Sequence, residues 1–290
     1  MKNILVLPSW YPTNYNPILG IYFKEQVEAL NEFNDLQMNV LHVKYLGINR
    51  LKEAFNTDAG NEGVSNGINY LSHVYINLFP KIKFFKDKVF KYKIKKYYEK
   101  IVEKIGKPDL LHAHISFPAG YQAFLLSKEF NIPFIVTEHA TFFEIELLKR
   151  FKHYTLDVLQ NADYYVAVSS FLRDKINKAG RKQCDVLPNF IDVGKFELAK
   201  NNNRFDNNVF NFINIADLSY KKGFDILLNA FRKVIFEYKY PNVHLHLIGT
   251  GEKEAEFRQL TDQLSLIQYC TYHGRLEYER IPEYLNSSNA

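Results

Sequence analysis

Apolar residues along this chain follow two alternating rhythms. Short continuous apolar runs read as buried strands, and longer stretches with apolar positions every three or four residues read as amphipathic helices. Strands are predicted at 3–7, 38–43, 109–113, 133–137, 164–169 and 184–187, with a strand pair near 69–77 and helices at 20–31 and 81–105. Pro188 stops this series. An asparagine-rich, turn-forming stretch at 200–208 marks a boundary. The rhythm then restarts, with strands at 210–215, 243–248 and 269–272 and helices after Gly223, at 254–264 and from Glu279. Strand–helix alternation with apolar strands implies α/β architecture, with parallel sheets covered on both faces. Two such series imply two Rossmann-like, doubly wound domains, at 1–190 and 191–290, facing a cleft. Ligands of such sheets sit beyond the carboxyl ends of the strands, so the loops there should carry the chemistry.

The loop after 210–215 is the most informative. It places Lys221, Lys222 and Gly223 between a strand and a helix whose Phe224, Leu227, Leu228, Phe231 and Ile235 keep helical spacing. Free N–H groups and the helix dipole favour an anion there, and Lys222 adds a full positive charge. That combination suits a phosphate or diphosphate; the plain alternative is a lysine pair at an ordinary helix start. Other loops offer Glu138 and His139 after 133–137, and His112 and His114 at the end of 109–113. Gly20 opens the first helix, and Gly249 and Gly251 follow 243–248. A histidine at a strand end is more often structural than catalytic. His112 and His114 share one face of a strand, yet no Cys or carboxylate stands at a fitting spacing, so no metal is expected. No G-x-G-x-x-G follows the first strand, and neither a Walker loop nor a G-x-S-x-G elbow is present, which argues against nicotinamide, P-loop and hydrolase readings.

Taken in order, eight segments resemble the retaining nucleotide-sugar glycosyltransferases of family 4, which have the GT-B fold. They are PSWYP from Pro8, GIYFKEQ from Gly20, LHAH from Leu111, TEH from Thr137, VLPNFID from Val186, KGFDILLNAF from Lys222, GTGE from Gly249 and HGRL from His273. The resemblance implies a nucleotide-sugar donor, a glycan or lipid-linked acceptor, retention, and no cofactor. It implies that Gly20 meets the donor diphosphate, that His139 lies near the donor sugar and acceptor, and that Lys222 binds phosphate. Gly223, Gly249 and Gly251 fall on the donor side by the same resemblance, and His273, Gly274, Arg275 and Leu276 match the loop that meets the nucleobase. Glu138, His112 and His114 fall on the acceptor side, and Pro188 with Asn189 matches a hinge entry. Synthesis of cell-surface polysaccharide or lipopolysaccharide is the expected setting.

Two departures stand out. The family carries an Arg about five residues before the lysine, where this chain has Asp217, with Lys221 as the compensating cation. The family pattern also continues beyond Ala290 with a Glu-x7-Glu carboxylate pair, so the resemblance implies an incomplete second domain. The rival reading is therefore an inactive, truncated relative that serves as a binding or scaffold protein.

Composition changes this picture in two places. Cys184 and Cys270 form no CxxC or disulfide framework, and no apolar run reaches the roughly 18 residues of a membrane span, so a cytoplasmic protein is expected. The net charge of +5 conceals an asymmetry. Between Lys81 and Lys107, eleven lysines stand against Asp87, Glu99 and Glu103, a surplus of eight, so the remainder sums to minus three. The plain reading is a core-packed helix with a solvated lysine face. The other is a helix docked on an anionic membrane surface, making the protein peripheral at the inner face. Nucleic acid is not an expected partner, because no stacking platform accompanies the charge.

Overall fold

The computed structural model describes residues 1–13, 19–47, 61–76, 83–140, 143–181, 183–198, 204–206 and 208–290, with backbone only at 83–84 and 144–146. Residues 16–18 ahead of Gly20, Lys81 at the head of the basic segment, and much of the boundary at 200–208 lie outside them. The chain divides into two compact units, Met1–Phe190 and Ile191–Ala290.

The first unit is built on one sheet. In chain order its strands are β1 (Lys2–Pro8), β2 (Leu36–Leu46), β3 (Asn61–Ser65), β4 (Ile68–Ile76), β5 (Leu110–His114), β6 (Phe134–Glu138), β7 (Tyr164–Ala167) and β8 (Asp185–Val186). Their spatial order is β3-β4-β2-β1-β5-β6-β7-β8, and every pairing is parallel except β3 with β4. Ile4, Leu5, Val6 and Leu7 are buried in succession on β1, as a strand covered on both faces requires. Successive strands step away from β1 first through β2 and then, on its other side, through β5. That reversal makes the gap beyond the adjacent ends Pro8 and His114 the topological switch point. Ser9 stitches the gap: its hydroxyl donates to the His114 carbonyl at 2.9 Å and accepts from the Ala119 amide at 3.3 Å.

The helices of this unit are α1 (Ile21–Asn31), α2 (Lys83–Ile105), α3 (Tyr121–Phe130), α4 (Lys152–Asn161) and α5 (Ser170–Lys178), joined by π-helical turns at Ser116–Gly120 and Phe143–Arg150. Gly20 caps α1 at φ 76°, where a Cβ would lie 2.6 Å from the Trp10 carbonyl oxygen, so only glycine lets the two loops close. Ser169, predicted at a strand end, instead leaves β7 and accepts from the Leu172 amide as the cap of α5.

One expectation needs correction. The strand pair lies at Asn61–Ser65 and Ile68–Ile76, turned by Asn66 and Gly67 at φ 51° and 76°. Its first strand is polar and largely exposed, so it gives no apolar signal; the Asn-Gly turn was the readable cue. On α2 the inward stripe is Phe90, Ile94, Tyr98 and Ile101. Tyr97, half-buried beside that stripe, packs against the same core and stacks on His73 with ring centroids 3.9 Å apart.

The second unit contains β9 (Phe210–Ile215), α6 (Phe224–Phe236), β10 (Val243–Ile248), α7 (Glu254–Gln263), β11 (Cys270–Gly274) and α8 (Ile281–Asn286). Among the described residues its sheet is parallel in the order β11-β10-β9. Leu245 and Leu247 of β10 pack with Phe224, Leu228, Phe231 and Ile235 of α6 and Phe257 of α7. Asn289 and Ala290 run beside β9, with the Ile213 amide donating to the Ala290 carbonyl at 2.8 Å.

The stripe on α2 separates core from surface at adjacent turns. Ile94→Ala should cost about 2–5 kcal/mol in urea unfolding. Lys91→Ala, on the solvent side, should stay within about 0.5 kcal/mol, and equal losses would contradict the packing.

Candidate active site

In the first unit, β5 and β6 lie in register with His114 opposite Thr137, which places three imidazoles at neighbouring strand ends. His112 Nε2 meets Thr137 Oγ1 at 2.9 Å, and His114 Nδ1 meets His139 Nε2 at 3.1 Å. The first turn of α1 covers them: the Phe23 ring lies 4.9 Å edge-on from His139 and the Tyr22 ring 5.5 Å from it. His139 lines a narrow slot with Tyr22, Gln26, Thr137, Pro188 and Asn189. Burial pushes His112 and His139 down to about 4 and His114 well below its ordinary value, and the neighbouring imidazoles push His114 and His139 further the same way. All three are therefore neutral near pH 7, suited to hydrogen bonding with hydroxyl groups and poor as cations.

Glu138, expected on the acceptor side, is fully buried. One carboxylate oxygen accepts from the Ser116 amide at 2.9 Å, the Ser116 hydroxyl and the Tyr165 hydroxyl. The other accepts from the amides of His139 at 3.1 Å and Ala140 at 2.9 Å. Burial raises its pKa and these bonds oppose the rise. Glu138 thus fixes the loop that carries His139 and has no surface to offer an acceptor. His112 and His114 are likewise buried, and their ring nitrogens meet Thr137 and His139.

In the second unit, three loops at the carboxyl ends of β9, β10 and β11 are bound backbone to backbone. The Leu218 amide donates to the Thr250 carbonyl at 3.1 Å, and the Gly249 amide donates to the Gly274 carbonyl at 2.8 Å. A Cβ on Gly249 would lie 2.0 Å from the Ala216 carbonyl oxygen, and one on Gly251 would lie 2.4 Å from that of Leu218. Both glycines are therefore required by loop-to-loop contact inside the unit. What they position is the turn Tyr220–Lys222, followed by Gly223 at φ 70° as the cap of α6. Lys221 and Lys222 are exposed and form no ion pair among the described residues. Asp217 is exposed on the same loop. Gly274 (φ 69°), exposed Arg275 and half-buried Leu276 follow His273 at the end of β11.

The structure thus gathers Lys221, Lys222, Gly223, Gly249, Gly251, His273 and Gly274 at one sheet edge of the second unit. Gly20, His112, His114 and His139 gather at the switch point of the first. Tyr22, Thr137 and Asn189 enter the sequence reading only as members of matched motifs, Asn189 as part of a hinge entry, and the fold brings them into the slot. Sequence reading missed His244 and His246, whose His-x-His spacing repeats that of His112 and His114 and was legible.

Two parallel α/β units with polar loops at the carboxyl ends of their strands define the GT-B class of fold. Solved structures agree: sucrose-phosphate synthase from Thermosynechococcus elongatus matches all of this chain and 74% of its own, at a TM-score of 0.72 and 16% identity. HepE from Anabaena, solved in complex with UDP and glucose, matches 100% of this chain and 73% of its own, at 0.67 and 16%. The family description Glycosyltransferase Family 4 matches residues 57–195, and Glycosyl transferases group 1 matches 195–290. The chain belongs to the family-4-like glycosyltransferases. An uncharacterized glycosyltransferase of Methanocaldococcus jannaschii is 26% identical over 122 residues, 40% of this chain. The putative teichuronic acid biosynthesis glycosyltransferase TuaC of Bacillus subtilis is 28% identical over 97 residues, 31% of this chain. These matches span only 28% and 24% of those two relatives.

The buried imidazoles set a pH dependence. His42 is lowered to about 3, and His112, His139 and His246 to about 4, each chiefly by burial. The unfolded chain takes up these protons near pH 6.5 and the fold does not, so stability is lost as pH falls from 6.5 toward 4. Glu138 acts in the opposite sense, but it is one group. Urea unfolding should show a loss exceeding about 2 kcal/mol between pH 7 and pH 5, the contribution of one such histidine; a flat profile would contradict the burial.

Proposed function

We propose that this chain transfers a glycosyl group from a nucleotide-sugar donor to a glycan or lipid-linked acceptor. Transfer proceeds with retention and without a metal, in cell-surface polysaccharide or lipopolysaccharide synthesis. The observation that carries the reading is the bound cluster of loops that presents Lys221 and Lys222 at the start of α6. Negative charge grows on the leaving diphosphate as the glycosidic bond breaks, and fixed cations and amides aimed at it lower the barrier. Support comes from HepE, whose structure is described with UDP and glucose. Asp217 opposes anion binding, and Lys221 offsets it. In the first unit, neutral His139 hydrogen-bonds a hydroxyl of the donor sugar or acceptor and so orients it. With nucleotide-sugar donors, Lys222→Ala and His139→Ala should each lower turnover by about 100-fold, the scale of losing one preorganised stabilising group. Wild-type turnover in either variant would remove that residue from the mechanism.

A lipid-linked acceptor fits a cytoplasmic protein held at the inner membrane face, and α2 supports that placement. Among the described residues, no helix is long and apolar enough to cross a membrane. Lys100 and Lys104 are engaged by Glu62 at 2.8 and 3.5 Å, and Lys95 by Glu129, so they contribute little. The outward face instead carries Lys88, Lys91 and Lys96 with the rings of Phe85 and Tyr92, 50% and 61% exposed. Each lysine near an anionic leaflet is worth about 1 kcal/mol, and aromatic rings favour the interface. The chain should co-sediment with phosphatidylglycerol vesicles and not with phosphatidylcholine vesicles. Exchanging those three lysines for Glu should abolish the difference; equal binding to both vesicles in the wild type would overturn the placement.

A further inference from the structure

One face of the sheet in the second unit carries a line of side-chain hydrogen bonds apart from the lysine loop. An asparagine amide has one acceptor end and one donor end, and a neutral imidazole holds a single ring proton. Asn211 Nδ2 donates to the carbonyls of Asp206 at 2.9 Å and Val209 at 2.8 Å, which fixes its Oδ1 as the other end. Oδ1 lies 3.1 Å from His246 Nε2 and can only accept, so the proton of His246 sits on Nε2 and its Nδ1 is bare. That Nδ1 lies 3.0 Å from His273 Nε2, which must then carry the proton, leaving His273 Nδ1 as a bare acceptor with no hydrogen bond among the described residues. Phe205 stacks on His246 at 3.6 Å and 8°, and Tyr284 packs edge-on against His273 at 5.1 Å, holding both rings. Burial disfavours a second proton on either ring, and the Arg204 charge adds to this at His273.

His273 is the penultimate residue of β11, at the carboxyl edge where Gly274 is tied to Gly249. A bare imidazole lone pair repels phosphate oxygens and attracts N–H or O–H groups. We infer that Asn211 and His246 are positioning residues that lock His273 as its Nε2–H tautomer, so that Nδ1 accepts from an N–H or O–H group at the nucleoside end of the donor. The choice of ligand rests on the donor reading above; the tautomer does not. The first unit repeats the pattern with the same atoms, His112 on Thr137 and His114 on His139, as His244 on Thr271 and His246 on His273. There, however, His114 Nε2 has no hydrogen-bond partner among the described residues, so no acceptor of the Asn211 kind fixes its proton.

Nitrogen-15 NMR of the full chain with labelled histidine reads the tautomers directly. His246 and His273 should both carry the proton on Nε2. His246→Asn, whose amide oxygen still accepts, should keep the protected His273 Nε2–H signal, and His246→Leu should lose it. A proton on Nδ1 of either wild-type ring overturns the lock even if a variant fails to fold, and so does an unchanged His273 in a folded His246→Leu. UDP, GDP, ADP and inorganic pyrophosphate then serve as probes. His273 Nδ1 should shift with a nucleoside diphosphate and not with pyrophosphate. A shift with pyrophosphate, or none while calorimetry records nucleotide binding, overturns the ligand half alone. If calorimetry records no nucleotide binding at all, the donor reading fails and takes the ligand half with it.

Discussion

Parallel strands covered on both faces can expose polar chemistry only at their ends, and the rest of this structure depends on that constraint. β1 is buried from Ile4 to Leu7, and β10 carries Leu245 and Leu247 against two helices. Whatever these units do must therefore be done by the loops that leave the sheet edge. Those loops are held by contacts among themselves: Ser9 across the switch point of the first unit, Glu138 beneath His139, and Gly249 and Gly251 against the backbone of 216–218 in the second.

The polar residues left on the sheet faces follow a second rule. A buried polar group needs a partner, and on a parallel sheet the nearest partners are side chains on the adjacent strand. Asn3, Asn39 and Asn69 bond in sequence across β1, β2 and β4, at 2.9 Å in each step. The histidine pairs of both units are the same solution in another residue type. Burial keeps their rings neutral, which makes the direction of each hydrogen bond, rather than charge, what distinguishes one pair from another.

Much of this was legible beforehand. Two α/β series followed from the apolar rhythm, because parallel strands are short, apolar and separated by helices. The lysine loop was visible because a strand, a short polar loop and a helix lie consecutively in the chain. β3 was not, since an exposed edge strand with Val64 as its one large apolar residue has no apolar period to read. Tyr97 and Tyr98 could not be separated on α2, where one residue of phase decides which ring is half-buried and which is fully buried in the core. Glu138 looked like a site carboxylate because its position at a strand end is readable while the direction of its side chain is not.

Sequence alone determined the order of elements, the family resemblance and the short list of loops, because each depends on residues that are neighbours in the chain. Only tertiary structure decided which of those residues touch. Ser116 and Tyr165 claim Glu138 across 22 and 27 residues, and Asn211 reaches His246 across 35. Such pairings depend on strand register and on the closure of loops, quantities that local periodicity does not encode, so the tautomer offered by His273 emerges only when β9, β10 and β11 lie side by side.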